Sequence, residues 1–265
     1  MTTNRGDERF QSGAKKYAAY LNSTEGRLRL DLAFANLQEF LPQATKPLRA
    51  LDVGCGTGAL AVRLAQLGVH VTLLDSSPQM LEFAERSAHD AGVGERISLQ
   101  QGDAGELDRW CEAETFDVIL CHNVLEYLEH PGAVLRNAAR ALRDRSSVIS
   151  VLVRNRAGDV LRAAIKDGDL PSAELNLTRE WGRESLYGGD VRLFTPQSIR
   201  AALEAASLTG IAERGIRVLA DYLPKTVRDR EEAAVFELER KLGKLPEFGA
   251  VARYTHCLAR RAQAD

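Results

Sequence analysis

The sequence predicts an α/β fold: a seven-stranded, mostly parallel sheet with helices on both faces. Three observations carry that expectation. An apolar run from Leu48 to Val53 ends in Gly54-Cys55-Gly56-Thr57-Gly58, and a helical pattern follows at once. Strand-like and helix-like segments then alternate at βαβ spacing as far as Val153. The segments read as strands also end in polar groups, Asp75 after the second and Asp103 after the third. That is the edge where open α/β sheets bind their ligands.

Each element follows in order. Residues 1–45 read as a helical N-terminal extension, apolar at Tyr17, Tyr20, Leu21, Leu28, Leu32, Leu37 and Leu41, with Pro42 and Pro47 bracketing a linker. Residues 46–265 form the main domain. Its first helix, from Gly58 to Leu67, carries a Leu60, Leu64 and Leu67 stripe, and Gly68 ends it. Val69 to Leu74 is the second strand, finishing in Asp75, and Ser77-Pro78 opens the next helix with a cap and a first-turn proline. Ile97–Gln101, Phe116–Cys121 and Ser147–Val153 are the third to fifth strands. An irregular insertion spans residues 154–194, a lid between strands five and six. Thr195 caps a helix to Ala206, strand six is Ile211–Leu219, a charged helix runs from Arg228 to Leu242, and strand seven is Ala252–Ala259.

Composition sets limits. At 265 residues and 45% hydrophobic, the chain can bury one large core. No apolar run approaches the roughly 18 residues of a membrane span. The polar, mixed-charge start from Met1 to Gln11 does not resemble a secretory signal, so a cytoplasmic protein without membrane partners is expected. Cys55, Cys111, Cys121 and Cys257 are scattered, which points to reduced thiols and no metal site. Net charge is −2; residues 46–153 hold 10 basic and 15 acidic side chains, residues 154–265 hold 19 and 17. A nucleic-acid partner is permitted by this balance and not required by it.

The glycine turn bears the chemistry. Gly54, Gly56 and Gly58 remove Cβ atoms where backbone must approach a ligand. No lysine follows to reach a phosphate, and G-x-G-x-G after Asp52 differs from the dinucleotide pattern. Asp75 is placed to accept both hydroxyls of a ribose. Leu51 to Gly58, followed by the D-x-S-x-x-M-L of Asp75 to Leu81, resembles motif I and its sequel in class I S-adenosylmethionine (SAM) methyltransferases. The resemblance implies a Rossmann-like methyltransferase fold with SAM as cofactor. It places Asp52, Gly54, Gly56, Gly58, Asp75 and Ser76 around that cofactor, Asp103 and Ala104 beside its adenine, and His122 toward its methionine end.

Three separated pieces are similar to the bacterial tRNA 5-carboxymethoxyuridine methyltransferases: Ser23 to Arg29, Gly215 to Leu223 and Ala252 to Arg260. That resemblance implies that Arg29 contacts the methionine end of SAM and that tRNA is the partner. The family histidine before Asp221-Tyr222-Leu223 is Ala220 here. A carboxylate acceptor is ionised at neutral pH, so it needs alignment and a cationic clamp rather than a general base; no catalytic side chain is expected. Arg192, Arg217 and Arg253 are the clamp candidates. A phenol or amine acceptor would instead ask for a base such as His122 or His256. Arg179, Trp181, Arg183, Tyr187 and Arg192 cluster in the insertion, where they could stack on a base or grip a carboxylate. A small-molecule carboxylate acceptor, or a SAM-binding protein without catalysis, remain the alternatives, and the oligomeric state is open.

Overall fold

Two helices precede the sheet, α1 (Arg5–Leu21) and α2 (Thr24–Gln38). Ser23 separates them and caps α2 by accepting from Gly26 N at 3.1 Å. The computed structural model describes residues 5–184, 186 and 188–263, with side chains from residue 13 onward. The strand–helix series then runs β1 (Arg49–Val53), α3 (Ala59–Gln66), β2 (His70–Asp75), α4 (Pro78–Asp90), β3 (Ile97–Gln101), α5 (Leu107–Trp110), β4 (Val118–His122), α6 (Pro131–Ala141) and β5 (Val148–Arg154). Beyond it lie α7 (Arg156–Leu161), α8 (Leu170–Asn176), a hairpin of β6 (Trp181–Arg183) and β7 (Asp190–Arg192), then α9 (Pro196–Glu204) and β8 (Leu208–Ile216). The chain closes with α10 (Lys225–Arg230), α11 (Glu232–Leu242), α12 (Pro246–Gly249) and β9 (Tyr254–Arg261).

The main sheet has the order β3-β2-β1-β4-β5-β9-β8. β1 to β5 pair in parallel, whereas β9 is antiparallel to both β5 and β8. Strand β5 is buried along its whole length, because helices cover both faces and leave no side of the central strands for polar residues. One face packs Leu125, Leu135, Ala138 and Ile199 against the sheet; the other packs Leu64, Leu73, Ala84 and, from α2, Leu37. Strand order reverses between β1 and β4, which opens a crevice at their carboxyl ends.

The expected elements shift in four places. The sixth expected strand, Ile211–Leu219, is β8 and ends at Ile216, because Arg217 takes a left-handed φ of +61° that breaks the pairing. The seventh begins two residues late, at Tyr254. The insertion is structured rather than irregular: Asn155 caps α7, a π-helical turn (Arg162–Lys166) follows, and Asp169 caps α8 with Pro171 in its first turn. The charged helix also divides, at Glu231, where φ −122° and ψ 35° leave the helical region.

Candidate active site

A cavity of about 720 Å³ occupies the carboxyl edge of the sheet over the β1/β4 crevice. Gly54, Gly56, Asp75 and Ser76 line one end, together with Asp103 and Ala104 from the turn after β3. Tyr17, Tyr20 and Arg29 come from the N-terminal helices, and His122 and Glu126 from the end of β4 and the turn after it. Arg154, Arg217, Arg253 and Tyr254 form the opposite wall.

The glycine turn is shaped by close approach. Gly54 has φ +65°, and a Cβ there would stand 2.5 Å from Val124 Cγ2, so no larger residue fits without moving the turn after β4. Gly54 N and Cys55 N both donate to Leu74 O, at 2.7 and 3.1 Å. Asp75 then fixes the turn from β2: its Oδ2 accepts from Gly56 N at 2.8 Å and its Oδ1 from Ser77 N at 2.9 Å. Each carboxylate oxygen has lone pairs beyond these bonds, so the same group can meet ligand hydroxyls.

Arg29 is 6% exposed on α2. It donates to Asn123 Oδ1 at 2.5 Å and to Tyr17 Oη at 3.0 Å, and its guanidinium carbon lies 5.2 Å from the Tyr20 ring centre. Burial opposes its charge, yet the phenols of Tyr17, Tyr20 and Tyr254 outweigh that and keep it protonated. None of its partners among the described residues is a carboxylate. A buried cation lacking a counter-ion is a ready seat for an anionic group.

The opposite wall is a ring of arginines on one aromatic. The guanidinium carbons of Arg29, Arg217 and Arg253 lie 5.7, 5.8 and 6.0 Å from the centre of Tyr254. Desolvation of the partly buried Tyr254 alone would raise its phenol, but Arg217, Arg29, Arg253 and Arg154 reverse the shift and lower it. The local potential therefore favours a negative oxygen. Arg217 donates from Nε to Asp221 at 2.8 Å and from a terminal nitrogen to Tyr20 Oη at 2.9 Å. Arg253 pairs with Asp159, which also meets Arg154 Nε at 3.0 Å, and Arg154 bonds Glu184 at 3.2 Å.

Several expectations need correction. Arg192 does not face this cavity. In the β6–β7 hairpin it lies opposite Trp181 and stacks on that indole at 4.7 Å, while its neighbour Val191 lines the cavity; strand alternation turns the arginine away. Gly58 serves packing: it has φ +69°, and a Cβ there would meet Ala84 Cβ at 2.9 Å. Asp52 lines a small neighbouring cavity of about 40 Å³ with Arg29 and Cys55 rather than the large one. Burial first, and Asp75 second, push its carboxyl up to about 8. Arg179 and Arg183 are exposed, and Tyr187 lies outside the described residues.

Sequence reasoning missed Tyr254, Arg154, Glu126 and Glu239. Glu239 on α11 accepts from Val218, Leu219 and Ala220 N at 2.7, 3.0 and 2.7 Å, holding the turn that gives Arg217 its unfavourable backbone angle. Tyr254 follows Arg253 directly in the family-like segment Ala252 to Arg260, and only the fold shows that Arg29 and Arg217 converge on it.

A strand-order reversal, a glycine turn fixed by an aspartate at the next strand end, and a large cavity at that edge define a nucleoside-binding α/β protein. The family described as Methyltransferase domain matches residues 44–186, and the chain belongs to it. It is an enzyme, a SAM-dependent methyltransferase. Over 262 residues it is 28% identical to tRNA 5-carboxymethoxyuridine methyltransferase of Escherichia coli K12, covering 97% of this chain and 98% of that protein. Over 183 residues it is 31% identical to ubiquinone biosynthesis O-methyltransferase of Methylobacterium nodulans, 66% of each chain. A SAM-dependent methyltransferase from Thermotoga maritima superposes with a TM-score of 0.64 at 15% identity, over 96% of this chain and 99% of that one. The CcbJ methyltransferase from Streptomyces caelestis gives 0.60 at 17% identity, over 89% and 90%. No helix among the described residues is long and apolar enough to cross a membrane.

Proposed function

We propose that this methyltransferase esterifies the carboxylate of 5-carboxymethoxyuridine in tRNA, as a cytoplasmic enzyme. The observation that carries the reading is the convergence of Arg29, Arg217 and Arg253 on Tyr254, each within about 6 Å of its ring centre. It joins the similarity to the E. coli tRNA methyltransferase over nearly the whole of both chains. Bound SAM supplies a methyl group already activated on a sulfonium. The residues present fit it: Asp75 offers lone pairs for ribose hydroxyls, Asp103 and Ala104 flank the adenine end, and Arg29 has no carboxylate partner among the described residues. Helices α1 and α2 bring Tyr17, Tyr20 and Arg29 onto this cavity, so the extension acts as a lid over the cofactor.

Arg217 and Arg253 then serve as the acceptor clamp. Asp221 and Asp159 occupy only some of their N–H groups, and each guanidinium has five to offer. The acceptor carboxylate arrives ionised, since an ordinary carboxylate titrates near ~4. No side chain has to remove a proton. His122 and His256 are both held neutral, by burial above all, which leaves them poor proton acceptors. The clamp aligns the nucleophilic oxygen and, with the lid, excludes water.

The modest basic count, 19 against 17 in residues 154–265, favours a second reading in which the acceptor is a small carboxylate. Incubating the protein and SAM with tRNA carrying free 5-carboxymethoxyuridine, or with the free nucleoside, separates the two. Ester formation on tRNA that falls steeply with salt supports the first, because phosphate contacts release counterions. Ester on the nucleoside with none on tRNA overturns it.

A further inference from the structure

Behind His122 runs a buried polar chain that the mechanism above leaves unused. Asn36 Nδ2 on α2 lies 3.3 Å from His256 Nδ1. His256 Nε2 lies 2.7 Å from Ser150 Oγ, and the same Oγ lies 2.7 Å from His122 Nε2. His256 and Ser150 are fully buried and Asn36 is nearly so. Each link constrains the next. An amide nitrogen only donates, so His256 Nδ1 must accept, and the proton of this neutral ring sits on Nε2. That Nε2–H donates to Ser150, whose one hydroxyl proton is then directed at His122 Nε2. His122 is left with its proton on Nδ1.

His122 lines the large cavity. Its Nδ1 has no hydrogen-bond partner among the described residues, and it is not one of the buried polar atoms left orphaned, so a ligand can reach it. We infer that the Asn36–His256–Ser150 relay locks His122 as a neutral hydrogen-bond donor, presenting Nδ1–H to a carboxylate oxygen of a bound ligand. A ring whose accepting nitrogen is committed to Ser150 cannot also take a proton from an acceptor, which suits an acceptor that arrives ionised. Burial, His256 and Arg29 all keep the ring uncharged. The carboxylate belongs either to the methionine end of the cofactor or to the methyl acceptor, and only the second case rests on the function proposed above.

Long-range proton–nitrogen NMR of protein with isotopically labelled histidine rings reads the relay directly. The expected pattern is opposite tautomers: His122 protonated on Nδ1, His256 on Nε2. His122 protonated on Nε2 would mean that the Asn36 oxygen faces His256, and the inference would fall. The second arm is His122→Phe, which keeps a ring and removes the donor. A loss of about 10- to 100-fold, the range of one hydrogen bond to a charged group, is expected either in SAM affinity by calorimetry or in acceptor KM alone. The first outcome assigns the cofactor's carboxylate, without any acceptor present, and the second assigns the acceptor's. No change in either overturns the donor role. Ser150→Ala should leave His122 a mixture of tautomers with part of the same loss, and an unmixed Nδ1–H tautomer in that variant would show that the relay does not set it.

Discussion

Replacing Arg29 by methionine separates a residue kept for a ligand from one kept for the fold. In the free protein the change removes two hydrogen bonds to neutral partners, Asn123 and Tyr17, each worth about 1 kcal/mol. It also removes contacts with the rings of Tyr17, Tyr20 and Tyr254, each worth roughly 0.5–1 kcal/mol. Against these stands the release of a buried charge that has no carboxylate partner among the described residues, a penalty of several kcal/mol. The two sides nearly cancel, so stability without ligand should move by no more than about 1–2 kcal/mol. SAM affinity should fall by about 1.5–3 kcal/mol, on the order of 10- to 100-fold, because the lost bond is to an anion. Thermal melts with and without SAM test both halves. At a cofactor concentration a hundredfold above Kd, the wild type gains about 2.7 kcal/mol, whereas a variant binding 30-fold more weakly gains only about 0.9 kcal/mol. A variant that melts far below wild type without SAM, yet keeps the full gain with it, would refute the reasoning.

Further outcomes follow from the same geometry. Asp52 titrates near 8 in the folded protein, above its unfolded value, so its contribution is intact below about pH 4 and is lost as pH rises through 8. Asp52→Asn should therefore melt increasingly above wild type between pH 5 and about pH 8.5; parallel curves would show that Asp52 is not protonated in the fold. Glu239→Ala strands three backbone donors, two of them buried, and should cost about 3 kcal/mol or more in denaturant unfolding, where an unchanged midpoint would contradict its role in holding Arg217. Arg217→Lys should raise acceptor KM at least tenfold while Arg192→Ala leaves it unaltered, since Arg192 stacks on Trp181 away from the cavity. Equal effects of the two in steady-state assays would show the clamp is misplaced.

Much of the fold was legible because its signals are local. The Gly54–Gly58 turn, Asp75 at the end of β2, and the Ser77 and Thr195 caps each depend on residues within a few positions, and the structure has them where the sequence implies. Arg192 was not legible, because its direction follows from hairpin register, which a short insertion does not reveal. Arg217 was read within a strand, since nothing local announces a left-handed arginine; the reason lies at Glu239, 22 residues away. The Tyr254 cluster joins α2, the turn after β8 and the start of β9, so each member is a lone residue until the sheet order brings them together.

The central claim, methylation of a tRNA carboxylate, is tested most directly by mass spectrometry of wobble nucleosides from cells lacking this gene, and from that tRNA after incubation with the protein and SAM. The account predicts free 5-carboxymethoxyuridine in the first sample and its methyl ester in the second. An unchanged ester in the deletion strain, together with no methyl transfer to carboxylate-bearing tRNA, would contradict it.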